Sequence, residues 1–135
     1  MQTLTVGQLA KQAHVNLETI RYYERRGILP EPPRRESGYR QYPPEAVERI
    51  RFIRRAQELG FSLKEIQELL SLRVDPGTTS ADIKKRAEAK LADIDTKLRD
   101  LNRMKTALTK LTVACRGRGP TSECPILDAL ELPMD

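Results

Sequence analysis

The chain has 135 residues, enough for one small core and an extended element but too few for a large enzyme. It carries 24 Lys and Arg against 19 Asp and Glu, a formal +5, and the window 19–55 alone holds ten Arg and five Glu and so accounts for that whole excess. All six aromatic residues lie before residue 62, so the second half must pack on aliphatic side chains. With 39% hydrophobic and 32% charged residues, this pattern suggests apolar surface shared with a second chain, and hence an oligomer. No apolar run is long enough to span a bilayer and the start does not read as a signal peptide, so a cytosolic protein without membrane contact is expected. In that reducing compartment the two cysteines read as working thiols rather than a structural disulfide.

Taken in chain order, Val6, Leu9, Ala10 and Ala13 have helical spacing and predict a short first helix. After His14-Val15, Asn16 is a suitable N-cap for a second helix to about Arg26, with Gly27 closing it. Residues 30–44 are rich in Pro and end in the alternation Tyr39-Arg40-Gln41-Tyr42, which predicts a small β-wing with a turn at Ser37-Gly38. Pro44 opens a third helix to about Leu59, with Val47, Ile50, Ile53 and Ala56 inward. Gly60 ends it. Ser62 and Glu65 form a capping box for a fourth helix to about Leu72. Asp75-Pro-Gly77 marks a linker over 73–80 that separates an N-terminal domain, 1–72, from the C-terminal half of the chain.

Residues 81–114 contain no Gly or Pro and predict one helix roughly 50 Å long. Leu91, Ile94, Leu98, Leu101 and Leu108 recur at steps of three and four, with Lys105 at the remaining position, which is a coiled-coil seam. Left bare, such a stripe promotes aggregation, so pairing with the same helix of a second subunit is expected. Residues 115–135 are then a cysteine-bearing loop and a short C-terminal helix. The expected fold is therefore all-α with a small β-wing: a winged helix-turn-helix joined to a long coiled-coil dimerisation helix.

The second helix carries Asn16, Thr19, Arg21, Tyr22, Arg25 and Arg26, residues suited to base edges and phosphates in a major groove. A helical hairpin with a solvated basic face would read the same way. Arg34, Arg35, Tyr39 and Arg40 shift the balance, because a wing in that position lies against the phosphate backbone. No Ser/His/Asp set, phosphate-cradling loop or supported carboxylate pair is present, which argues against an enzyme. The aspartates of the long helix read as a solvated face, and His14 as a turn or capping residue.

Thr19-Ile-Arg-Tyr-Tyr-Glu24, Gly27-Ile-Leu29, Ser37-Gly-Tyr-Arg-Gln-Tyr42 and Leu59-Gly-Phe-Ser-Leu63 together closely resemble the MerR family of transcriptional regulators. The resemblance implies a homodimer, paired through an antiparallel coiled coil of the long helices, on double-stranded promoter DNA that activates transcription by distorting the spacer so that RNA polymerase can engage both promoter elements. It also implies that Arg21 is a recognition-helix contact, Tyr39 and Arg40 are wing contacts, and Arg54 grips phosphate. A multidrug sensor of the family would need a larger C-terminal pocket than the roughly 20 residues after the long helix provide.

Cys115-Arg-Gly-Arg-Gly-Pro-Thr-Ser-Glu-Cys124 offers two thiolates on one loop, a donor set suited to Cu(I), Ag(I), Au(I) or Hg(II). Closed zinc sites want about four N or S ligands and iron–sulfur clusters about four cysteines, so both fit poorly. In the family's mercury, zinc, cadmium and lead sensors the resemblance implies a third cysteine, from the partner subunit, where this chain has Ser80. CueR-type copper and gold sensors carry serine there, in a pattern like Ser80-Ala-Asp82. Two thiolates with a monovalent ion leave −1, which Arg116, Arg118 and a helix N-terminus can offset, whereas Hg(II) leaves a neutral site. A monovalent Cu(I)/Ag(I)/Au(I) effector is the expectation on those grounds. The cysteine spacing and the DNA-binding half look at least as similar to mercury regulators, so Hg(II) or another divalent ion is the alternative, with Ser80 replacing a cysteine. A thiol redox switch using the same pair is the reading from a different class.

Overall fold

The computed structural model describes residues 2–32 and 38–133. It divides into two compact units, 1–86 and 87–135. In the first, α1 (Val6–Ala13), α2 (Leu17–Arg25), α3 (Glu45–Glu58) and α4 (Leu63–Val74) surround one core. α1 packs against α2 and α3, and α3 against α4.

Each of these helices starts where local chemistry satisfies its free amides. Thr5 and Gln8 form a capping box on α1, and Ser62 and Glu65 form another on α4. The Asn16 side chain accepts from the Thr19 amide at 2.8 Å to open α2. α1 ends at His14, whose left-handed φ of 57° turns the chain toward α2. Leu9, Ile20, Ile28, Tyr42, Ile50, Ile53 and Ile66 are the largest fully buried side chains. Burial of such a side chain contributes about 1.5–3 kcal/mol, so this set dominates the stability of the unit.

Part of the expected wing lies within the described residues. Among the described residues no strand forms, and the named β pairing is an isolated antiparallel bridge between Leu4 and Tyr42, with both backbone bonds at 2.8 Å. The N-terminal segment, not a second wing strand, is the partner that satisfies Tyr42. Arg34, Arg35 and the turn residue Ser37 lie outside the described residues.

α5 runs unbroken from Ser80 to Ala114, as the absence of Gly and Pro predicts. Its first turn is capped by Thr79: the Thr79 amide donates to Asp82 Oδ2 at 2.9 Å, and the Asp82 amide reaches Thr79 Oγ1 at 3.4 Å. Ser80 is the first helical residue, and its neighbour Thr79 supplies the capping hydroxyl. Arg86 pairs with Glu68, joining the first turns of α5 to α4. In the second unit a 3₁₀ turn, Thr121–Glu123, leads into α6, Pro125–Leu130. Leu91, Leu98, Leu101 and Leu108 of the expected seam are each more than half exposed in the single chain.

Candidate nucleic-acid interface and thiol site

Three arginines of α3 do structural work beneath α2. Arg54 donates to the His14 carbonyl at 2.8 Å, Arg51 reaches the Gln12 carbonyl at 3.4 Å, and Arg49 reaches the Ile28 carbonyl at 3.2 Å. Cations at the end of α1 satisfy carbonyls that the helix leaves open. Tyr23, buried in the core, donates its hydroxyl to Gln57 at 2.7 Å. These bonds fix how α2 sits on the unit.

Two clefts flank α2. One, of about 580 Å³, is bordered by Asn16, Thr19 and Arg54, and the other, of about 560 Å³, by Arg21, Arg25, Tyr39 and Arg40. All the described DNA-contact candidates except Tyr22 and Arg26 thus border one of two depressions beside one helix, and Tyr22 is itself exposed on α2. Their freedom differs. Tyr39 is 72% exposed, and Arg21 is exposed with only a 3.5 Å pairing to Glu18. Asn16 Oδ1 and the Thr19 hydroxyl bond to each other at 2.9 Å, and Arg54 holds the His14 carbonyl.

Sequence reasoning missed the acids around Arg40. Its Nη1 lies 3.0 and 3.1 Å from the two oxygens of Glu24, and its Nη2 lies 2.7 Å from Glu31. The Tyr42 hydroxyl donates to Glu24 at 2.8 Å. Burial first, and then the Glu24 bond, push the Tyr42 phenol above its ordinary value. Glu24 precedes Arg40 by 16 residues, a separation at which no local spacing rule flags a pair.

Cys115 follows α5 and Cys124 immediately precedes α6; both are free thiols and partly buried. Gly117 and Gly119 have φ of 72° and 90°, left-handed values that let the loop fold back where a side chain would be strained. Both thiols line one cavity. The backbone amides of Leu127 and Ile126 hold the Cys124 thiol below its ordinary value, Cys115 adds to this, and Asp128 opposes it. Ala114, Arg116, Arg118 and Pro120 are among the residues enclosing a cavity of about 390 Å³ with the cysteines. Among the described residues no group of three or more His, Cys, Asp or Glu is gathered to hold a metal ion. The donor set of the loop is a thiol pair, which fits a soft ion and not a hard one.

Residues 4–72 match the model of the MerR HTH family regulatory proteins, and residues 47–111 match that of the MerR DNA-binding region. The chain belongs to the MerR family. It is a metal-responsive transcriptional regulator that binds DNA, and it is not an enzyme. A mercuric resistance operon regulatory protein of Serratia marcescens is 46% identical over 131 residues, covering 97% of this chain and 90% of the relative. The crystal structure of the regulator PbrR691 from Ralstonia metallidurans CH34 in complex with lead(II) aligns with a TM-score of 0.82 at 35% identity, covering 94% of this chain and 98% of that one. That of MerR from Bacillus megaterium MB1 in complex with mercury(II) aligns at 0.71 and 38% identity, covering 96% and 100%. For this MerR-family chain no helix among the described residues is long and apolar enough to cross a membrane.

Proposed function

We propose that this MerR-family chain is a cytoplasmic homodimer that reads promoter DNA through α2 and the wing and answers to a soft thiophilic ion held by Cys115 and Cys124. The observation that carries the sensor reading is the thiol pair in one glycine-turned loop, with Cys124 biased toward its thiolate. Hg(II) is the favoured effector. Support comes from the likeness over nearly the whole chain to a mercuric resistance regulator and to a MerR bound to mercury(II). The same likeness weighs against the Cu(I)/Ag(I)/Au(I) preference expected from Ser80 and from the charge offset by Arg116 and Arg118.

Arg21, Tyr22 and Arg25 contact the groove, and Asn16, Thr19 and Arg54 line its flank. Arg35, Tyr39 and Arg40 belong to the wing that lies along the backbone. An effector gives the Cys115–Cys124 loop a fixed shape when bound. The residues' part is to pass that ordering through paired α5 helices to two DNA-binding units, so that the promoter bends and untwists and RNA polymerase can engage it. Ser80, left free of capping by Thr79, stands at the N-terminus of α5 as the residue that tunes ion choice.

The test is in vitro transcription with promoter distortion as a second readout, titrating Hg(II), Cu(I), Ag(I) and Zn(II) into reduced wild type, Cys115→Ser, Cys124→Ser and Ser80→Cys. Hg(II) is expected to activate, and each cysteine variant to bind DNA as before without responding. Activation by Cu(I) or Ag(I) at lower concentration than Hg(II) would install the monovalent reading. Unchanged activation in both cysteine variants would remove the sensor site from this loop.

A further inference from the structure

Arg40 occupies the wing position where the DNA reading expects a phosphate contact, yet its charge is already taken. A guanidinium has five donors in a fixed fork. One nitrogen of Arg40 faces both oxygens of Glu24, and another faces Glu31. One cation against two carboxylates leaves this trio at −1, so Arg40 brings no unpaired charge to a phosphate. The Glu24 side chain is only 6% exposed, so water cannot easily take the place of Arg40.

The register explains why these groups meet. Side chains alternate along an extended segment, so Arg40 and Tyr42 share one face and Tyr39 takes the other. The two backbone bonds between Leu4 and Tyr42 hold that segment in place. Arg40 and Tyr42 then converge on the same Glu24 carboxylate, while Tyr39 stands out into solvent. Glu24 belongs to α2, the helix that carries Arg21 and Arg25.

We infer that Arg40 is a positioning residue: through Glu24 it fastens the wing to α2 and sets the spacing between Arg21 and Arg25 on one side and Tyr39 on the other, without gripping phosphate itself. This inference rests on the DNA-binding reading of α2 and the wing. Each phosphate neutralised contributes about 0.9 to the slope of log affinity against log salt, so a contact and a brace leave different signatures.

The experiment uses the full dimer and a duplex that the wild type selects from a random-sequence pool. Affinity is measured from low to moderate salt, with circular dichroism and thermal midpoint checking the fold. Arg40→Lys keeps the charge but loses the fork, Arg40→Met loses both, and Glu24→Gln loses the anchor. All three are expected to weaken binding about tenfold with the salt slope unchanged, and Glu24→Gln/Arg40→Met to be no worse than either single variant. Arg21→Ala, as the contact control, should lower the slope by about 0.9. If Arg40→Met lowers the slope by about that amount while Arg40→Lys binds as wild type, Arg40 grips phosphate and the inference is overturned. Should Glu24→Gln not fold, the two Arg40 variants still decide by slope. Wild-type binding that is insensitive to salt and to Arg21→Ala would instead overturn the DNA reading, and the inference with it.

Discussion

Tyr42 joins the wing to the core with one side chain: its backbone bridges Leu4, its ring is fully buried, and its hydroxyl reaches Glu24. Because burial and the Glu24 bond raise its pKa, the fold favours the protonated phenol. Its contribution is therefore complete below the unfolded value of about 10 and is lost as pH climbs through the higher folded value. Tyr23 is shifted the same way, by burial first, with Arg54 opposing. Thermal midpoints recorded from pH 7 to 11 should fall steeply above about 10 in the wild type and less steeply in Tyr42→Phe. At neutral pH, Tyr42→Phe should cost about 1 kcal/mol for the lost hydrogen bond. Superimposable alkaline limbs would contradict this role for Tyr42.

At the scale of elements, the caps decide where helices begin, and α5 carries the most informative one. Thr79→Ala removes the hydroxyl that caps α5 and should cost about 1 kcal/mol in urea denaturation, whereas Ser80→Ala should cost a few tenths at most. The reverse ranking would make Ser80 the cap. Four short helices and the long one were legible in the sequence because the spacing of Val6, Leu9, Ala10 and Ala13, the starts at Asn16, Pro44 and Ser62, and the stretch without Gly or Pro act locally. Thr79 and Ser80 are adjacent hydroxyl residues, and only the bond from Asp82 separates their roles. The wing was less legible, since Tyr42 pairs with Leu4, far back in the chain, and pairing partners at such a distance leave no local pattern. Arg40 was visible as a charge, but the acids that hold it were not. In the thiol loop the donors and glycines could be read directly, while the amides acting on Cys124 come from a helix of only six residues.

At the scale of the molecule, the seam of α5 is the surface that a single chain leaves unsatisfied. Leu98 and Leu101 are 52% and 58% exposed, so neither supports the fold of its own protomer. Leu98→Glu and Leu101→Glu together should turn a dimer into a folded monomer in sedimentation velocity, with the thermal midpoint of the N-terminal unit retained. A double variant that still sediments as a dimer would place the interface elsewhere.

The boundary between the two units falls within α5, after Arg86, and no breaker interrupts the helix there. The chain thus passes from one unit into the other as continuous helix. Adding one residue to a helix turns everything beyond it by about 100° and advances it about 1.5 Å, so an insertion cannot be absorbed as slack. The length of α5 is a phase as well as a distance. Single-residue insertions must misalign the seam along its whole remaining length, while a seven-residue insertion nearly restores the facing side. The spacing from Ser80 to Cys115 is therefore constrained in sequence length even where individual solvent-facing side chains are free to vary.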